Sequence, residues 1–261
     1  MKTVLSIAGS DTIGGAGIQA DLKTIAAHGL YGMTVITALT AQNTLGVQAI
    51  HEAPPEFVQQ EIDSVFTDIV PDAVKIGMVS SAAILRVIAE RLRHYGVKNL
   101  VVDPVMVATS GSRLLLPEAQ EALQQELLPL ARLITPNLPE AAVLSGMDIA
   151  SPDEMLAAAK KISADIPSAV LVKGGHLAQT ADDLLWDDGE AHWYHAPRVD
   201  TENTHGTGCT LSSAIACGLA KGLAVSEAVR QAKEYITATL RHDPQLGHGH
   251  GPLNHVWRLN P

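Results

Sequence analysis

Residues 4–27 read VLSIAGSDTIGGAGIQADLKTIAA. A short apolar run over residues 4–8 ends at Gly9, and a glycine-rich loop continues to Gly17. Ile18, Leu22, Ile25 and Ala26 then recur at the spacing of one helix face over residues 18–27. Strand, glycine loop and helix in that order open an alternating β-α chain.

The alternation continues. Strand patterns are predicted at 34–39, 73–76, 100–102, 133–134 and 169–172. Helices are predicted at 54–66, 82–95, 117–128, 139–144, 152–163, 207–221 and 226–241, punctuated by prolines and glycines. Residues 182–186 and 191–194, around Asp187-Asp188-Gly189, form a hairpin and a candidate lid. The pattern predicts an α/β fold, a doubly wound, mostly parallel sheet with helices on both faces, in one domain over residues 1–261. Ligands of such sheets bind beyond the carboxyl ends of the strands. Gly9, Gln42, Gly77, Asp103, Asn137 and Lys173 stand at those ends.

Composition narrows the partners. Lys and Arg number 18 against 28 Asp and Glu, a formal charge of −10, and no basic run exists. Nucleic acid and anionic membrane are therefore excluded as partners. Aromatic residues make up 3% of the chain, too few for a stacking platform. Cys209 and Cys217 lie on one predicted helix, roughly 12 Å apart at 1.5 Å per residue, beyond the reach of a disulfide. Reduced cysteines, and an N-terminal apolar run too short for a signal peptide, predict a cytoplasmic protein.

Three constellations carry chemistry. Gly15-Ala16-Gly17-Ile18-Gln19-Ala20 fits a dinucleotide fingerprint, but residues 33–42 hold no acid for a ribose hydroxyl. No G-x-x-x-x-G-K-[ST] loop occurs either. The first loop is then either a plain strand–helix turn or a backbone wall over a flat small molecule. The second constellation is NTHGTGCT at 203–210, followed by Leu211, Ile215 and Leu219 on one helix face. Glycines before a buried helix start let an anion sit on unpaired N–H groups. A cysteine in that first turn is expected to have a depressed pKa. Third, Asp103, Asn137, Glu140 and Lys173 gather at strand ends, where they serve either a hydrated Mg2+ or as helix caps. The tail histidines His248, His250 and His255 alternate with glycine and read as a turn packed on the final helix, not a metal site.

Taken in order, AGSDTIGGAGIQADLKT, TALTAQNT, KIGM, VVDPVM, ITPNLPEA, VKGGH and THGTGCTLSSAIA resemble the hydroxymethylpyrimidine/phosphomethylpyrimidine kinase family of thiamine biosynthesis, within the ribokinase-like superfamily. The resemblance implies two ATP-dependent phosphorylations of a small hydroxymethylpyrimidine, with Mg2+ and a homodimeric enzyme. It implies that Gln42 bonds the pyrimidine edge, that Ala16, Thr40, Met78 and Val105 line its faces, and that Asp21 sits at the polar rim. It makes Gly206, Thr207 and Gly208 the anion hole and puts Cys209 in the base position. Asp103, Asn137, Glu140 and Lys173 then serve the nucleotide phosphates and Mg2+ without a dedicated metal cage. Thr12-Ile13 and Thr40 depart from the family pattern, and Thr40 makes one pocket wall more polar. A pyridoxal or pyridoxine kinase is the alternative, because that branch also carries the cysteine; residues 41–44, AQNT, favour the pyrimidine. A binding protein without chemistry is disfavoured by Asp103, Lys173 and the glycine–cysteine helix start.

Overall fold

The structure, a computed structural model, describes residues 1–106, 117–175 and 181–259. In chain order the elements are β1 (Thr3–Ala8), α1 (Gly17–Ala27), β2 (Tyr31–Ile36), β3 (Ala38–Asn43), β4 (Gly46–Glu52), α2 (Pro55–Phe66), β5 (Ala73–Ile76), α3 (Ala82–His94) and β6 (Leu100–Val102). Then come α4 (Pro117–Ala122), β7 (Leu133–Ile134), α5 (Leu138–Ser145), α6 (Pro152–Asp165), β8 (Ala169–Val172), β9 (Asp183–Asp187), β10 (Glu190–Tyr194), α7 (Thr207–Ala220) and α8 (Val225–Arg241).

One eight-stranded sheet has the order β10-β9-β8-β7-β6-β5-β1-β2. From β8 to β2 neighbouring strands are parallel, and β9 and β10 add an antiparallel edge. The chain winds outward from β1 to β2, then returns to β5 on the other side, so the winding reverses between β1 and β5. On one face, Val58, Ile62, Ile84, Ile88, Met155 and Ile162 bring α2, α3 and α6 onto the sheet. On the other, Ile25, Leu211, Ile215, Val229 and Tyr235 bring α1, α7 and α8. The expected doubly wound, mostly parallel α/β sheet is what is found.

Two elements differ from expectation. The β-branched run expected as one strand turns a corner at Thr37. There the hydroxyl donates to the Met78 carbonyl (2.9 Å) and the N–H to the Ala8 carbonyl (3.0 Å). Past that corner the chain forms a separate two-stranded antiparallel sheet, β3–β4. The helix expected over 117–128 is α only as far as Ala122; it widens to a π turn over Leu123–Leu127 and tightens to a 3-10 turn over Leu128–Leu130. Pro129 has no N–H to continue the α ladder. The hairpin proposed as a lid is instead the sheet's antiparallel edge, tied down by Arg132 to Asp187 at 3.0 Å.

A polar knot interrupts the face under α7. Lys75, in the middle of β5, is fully buried, and its Nζ donates to both oxygens of Asp21 on α1 at 2.8 Å. Ser6 of β1 donates to the same carboxylate at 2.5 Å and Ser213 of α7 at 2.7 Å. The pair thereby joins two strands and two helices, with the charges satisfied on both sides. Lys75→Met leaves a buried carboxylate without its cation. Unfolding free energy, read by urea denaturation, is expected to fall by about 3–5 kcal/mol; a loss under about 1 kcal/mol, typical of a surface pair, would refute this.

Candidate active site

Helix α7 begins where the strands end. Its N-cap is Gly206, with φ 84°, and no side chain caps the first turn. A Cβ on Gly206 would stand 1.8 Å from the Gly15 carbonyl oxygen, so the two glycine loops touch backbone to backbone. Two residues on, a Cβ at Gly208 would lie 3.0 Å from Asp103 Oδ2 and 3.4 Å from Lys173 Nζ. The sequence-predicted anion hole, Gly206, Thr207 and Gly208, therefore sits against the ends of β6 and β8. First-turn amides of a helix beside a lysine are suited to an anion, and that of Thr207 also meets the Thr204 carbonyl at 3.3 Å.

Asp103 follows β6 and is 2% exposed. Its Oδ1 accepts from Lys173 Nζ at 2.8 Å and from the Thr135 hydroxyl at 3.0 Å. Oδ2 accepts no bond from the described residues. Lys173 is set by β8, whose end is pinned through Gly174: its N–H donates to Asp183 at 2.9 Å, and Asp183 is held by Lys233 at 2.6 Å. Asn137 and Glu140 form a reciprocal capping box at the start of α5. Glu140 Oε2 accepts the Asn137 N–H at 2.8 Å, and Asn137 Oδ1 accepts the Glu140 N–H at 2.9 Å. Burial pushes the Glu140 carboxyl up to about 7; Lys173 opposes this and Asp103 adds to it.

That donor set can be tested against a magnesium ion. Among the described residues no group of three or more His, Cys, Asp or Glu could hold a metal ion. Among the described residues Asp103 alone offers a carboxylate oxygen to a cation beside the anion hole, and Glu140 spends its oxygens on backbone amides. This fits Mg2+, which keeps its waters and takes one or two carboxylates plus phosphates. It does not fit a protein-built cage.

The opposite wall is built from the first glycine loop and the β3–β4 hairpin. Asp11, not singled out in the sequence, is 2% exposed. Its Oδ2 accepts the N–H groups of Gly15 (2.9 Å) and Ala16 (2.7 Å), and His205 Nε2 lies 2.8 Å from the same oxygen. Gln42 Nε2 lies 3.1 Å from that His205 nitrogen. The two departures from the family pattern prove to be bonded to each other: the Thr12 hydroxyl donates to the Thr40 carbonyl. The Thr40 hydroxyl itself donates to the Ser10 carbonyl at 2.8 Å, which ties it to the first loop. Ala16 at the N-cap of α1, and Met78 and Val105 just past β5 and β6, are half-buried, with Met78 lying over Gly9.

Two expectations need correction. Asp21 does not stand at a polar rim; it is fully buried on Lys75 beneath α7. Cys209 does not have a depressed pKa. Burial pushes its thiol up to about 11; Lys75 pulls it down, but Asp21 and Asp103 push it further up. The helix-start argument omitted that desolvation. In the tail, the His255 ring meets the Thr210 hydroxyl at 2.9 Å, and burial lowers its pKa to about 4. Gly249 and His248 donate to the Thr44 hydroxyl at the hairpin tip, so the tail packs as a strap across the second glycine loop and β3–β4.

A family model described as phosphomethylpyrimidine kinase matches residues 11–254. The chain is 54% identical over 258 residues to the hydroxymethylpyrimidine/phosphomethylpyrimidine kinase of Rhizobium meliloti, covering 97% of each. It is 50% identical over 255 residues to the thiamine biosynthesis bifunctional protein of Geobacter sulfurreducens, and covers 52% of that protein, so it spans about half the length of this relative. The ADP complex of Bacillus subtilis pyridoxal kinase is similar with a TM-score of 0.92 at 40% identity, over 100% of both chains.

Glu140 gives a pH signature. Its folded pKa of about 7 lies above the ordinary 4.5, so its contribution to stability is intact below about pH 4.5 and is lost as pH rises through 7. Glu140→Gln removes that dependence. Between about pH 5 and pH 8 wild type is expected to lose about 1–3 kcal/mol relative to the variant, read by urea denaturation. Parallel stability curves would contradict the assignment.

Proposed function

The chain belongs to the phosphomethylpyrimidine kinase family, and from that premise we propose how its site divides the work. The enzyme has the ribokinase-like fold and phosphorylates 4-amino-5-hydroxymethyl-2-methylpyrimidine on its hydroxymethyl oxygen, then converts the monophosphate to the diphosphate, in thiamine biosynthesis. The observation that carries the division of labour is Gly208 pressed against Asp103 and Lys173 at an uncapped helix start.

In this reading Gln42 bonds the pyrimidine edge while Ala16, Thr40, Met78 and Val105 enclose its faces, as suits a small flat ligand. The amides of Gly206, Thr207 and Gly208 take the oxygens of the moving phosphoryl, where charge develops in transfer. Lys173 offsets the charge of the nucleotide phosphates, and Asp103 holds the lysine by its other oxygen. Asp103 would hold a Mg2+ arriving with ATP, which would supply charge neutralisation at the phosphates, with Glu140 and Asn137 shaping the loop behind it. With its thiol pushed up to about 11 by burial, Cys209 offers the hydroxymethyl proton no ready thiolate. Positioning and charge stabilisation then carry most of the rate.

We place the enzyme in the cytoplasm, free of nucleic acid and membrane partners. No helix of the described residues is long and apolar enough to cross a membrane. A homodimer is proposed through the outer face of β3–β4, where Leu39 is 55% exposed beside exposed Ala41 and Ala49.

Substrate choice and the division of labour are each open to kinetic test. Purified protein with ATP and each of the hydroxymethylpyrimidine, its monophosphate and pyridoxal is expected to show the highest kcat/KM with the pyrimidines; faster turnover of pyridoxal would transfer the chain to vitamin B6 salvage. Gly208→Ala, which drives a methyl toward Asp103, is expected to lower kcat by more than about 100-fold. Cys209→Ala is expected to cost about tenfold, below the range of a full general base, with little change in KM. Equal losses in the two variants would restore Cys209 as the base.

A further inference from the structure

We propose that His205 is a positioning residue for Gln42: the hydrogen on its Nε2 is committed to Asp11, and this sets which end of the Gln42 amide faces the pyrimidine. The inference rests on the pyrimidine-kinase reading above. His205 Nε2 stands between two partners, Asp11 Oδ2 at 2.8 Å and the Gln42 amide at 3.1 Å. An ionised carboxylate only accepts hydrogen bonds. Burial works against ionisation of Asp11, but its Oδ2 already accepts the N–H groups of Gly15 at 2.9 Å and Ala16 at 2.7 Å, and its carboxyl is held below the usual range. The nitrogen facing it must therefore carry the hydrogen. That nitrogen then has no lone pair in the ring plane with which to accept from the amide N–H2 of Gln42.

The geometry resolves if the Gln42 carbonyl oxygen is the end turned toward His205, where it takes a weaker share of the one Nε2 hydrogen in a three-centre bond dominated by Asp11. The two ends of a primary amide have nearly the same shape, so this needs no movement of the side chain. The amide N–H2 is then presented to the ligand and donates to a ring nitrogen. The imidazole cannot easily turn away. Its side chain is 12% exposed, its backbone N–H donates to the Gly251 carbonyl at 3.2 Å, and its Cδ2 lies 2.6 Å from where a Cβ on Gly15 would be. His205 thus converts a fixed acid on the first glycine loop into a chosen polarity on the substrate wall.

Steady-state kinetics with ATP and the hydroxymethylpyrimidine on wild type, His205→Phe, Gln42→Ala and the double variant test the proposal. His205→Phe is expected to raise the pyrimidine KM about tenfold, with the ATP KM and kcat within about twofold. It is expected to add nothing on the Gln42→Ala background. His205→Gln, which restores an N–H donor, is expected to return the pyrimidine KM to within about threefold of wild type. Full additivity in the double variant, or an equal rise in the ATP KM, overturns the proposal. A second readout needs no active variant. In protein carrying nitrogen-labelled histidine, the His205 signal, identified by its absence from the His205→Gln spectrum, is expected to show hydrogen on Nε2; hydrogen on Nδ1 alone overturns the proposal. Wild-type enzyme that phosphorylates no pyrimidine would instead defeat the functional reading, and the tautomer would still be decided by the spectrum.

Discussion

A buried helix must start somewhere, and its first N–H groups have no partners within it. Helix α7 is buried from Thr210 to Ala220 and begins at Gly206 without a side-chain cap. Everything around that start is arranged about its positive end. Lys75 and Lys173 stand near it, and both would repel each other and the helix dipole without counter-charge. Asp21 answers the first lysine from below, and Asp103 answers the second from beside it. The remaining demand is for an anion at the amides themselves, which a phosphoryl group meets.

The same constraint explains why carboxylates rather than a cysteine dominate the electrostatics. Cys209 lies among Asp21, Asp103 and Lys75, and burial decides the sum against a thiolate. A site that already holds acids close to its lysines gains little from one more negative charge before ATP arrives. Its rate enhancement must then come from backbone dipoles that are aimed in advance and need no reorganisation. Rigidity at the two loops serves that end: Gly206 against Gly15, and Asp11 gathering the amides of Gly15 and Ala16 together with His205.

Much of the fold was legible because buried parallel strands read as continuous apolar runs closed by turn signals. The runs at 73–76, 100–102 and 169–172 coincide with β5, β6 and β8. The strand ends also pointed to Asp103 and Lys173, which the structure brings together, and Asn137 and Glu140 fell into the cap reading that the sequence had left open. The β3–β4 hairpin was not legible. Its strands bury little, so no face is marked by hydrophobicity, and Thr44-Leu45 lacks the glycine pair that marks a tight turn. Asp11 and His205 are 194 residues apart, and nothing in either local pattern announces the other. Asp21 was placed at the rim by the family resemblance alone; its partner Lys75 sits inside an apolar strand, where a charge is unexpected.

The account's central claim is that the transferred phosphoryl is held by the amides at the start of α7. A crystal structure of the protein with Mg2+, a non-hydrolysable ATP analogue and the hydroxymethylpyrimidine measures this directly. Oxygens of the terminal phosphate are expected within about 3 Å of the N–H groups of residues 206–208, with Lys173 alongside. A terminal phosphate seated instead on the first glycine loop, residues 9–17, would contradict the account.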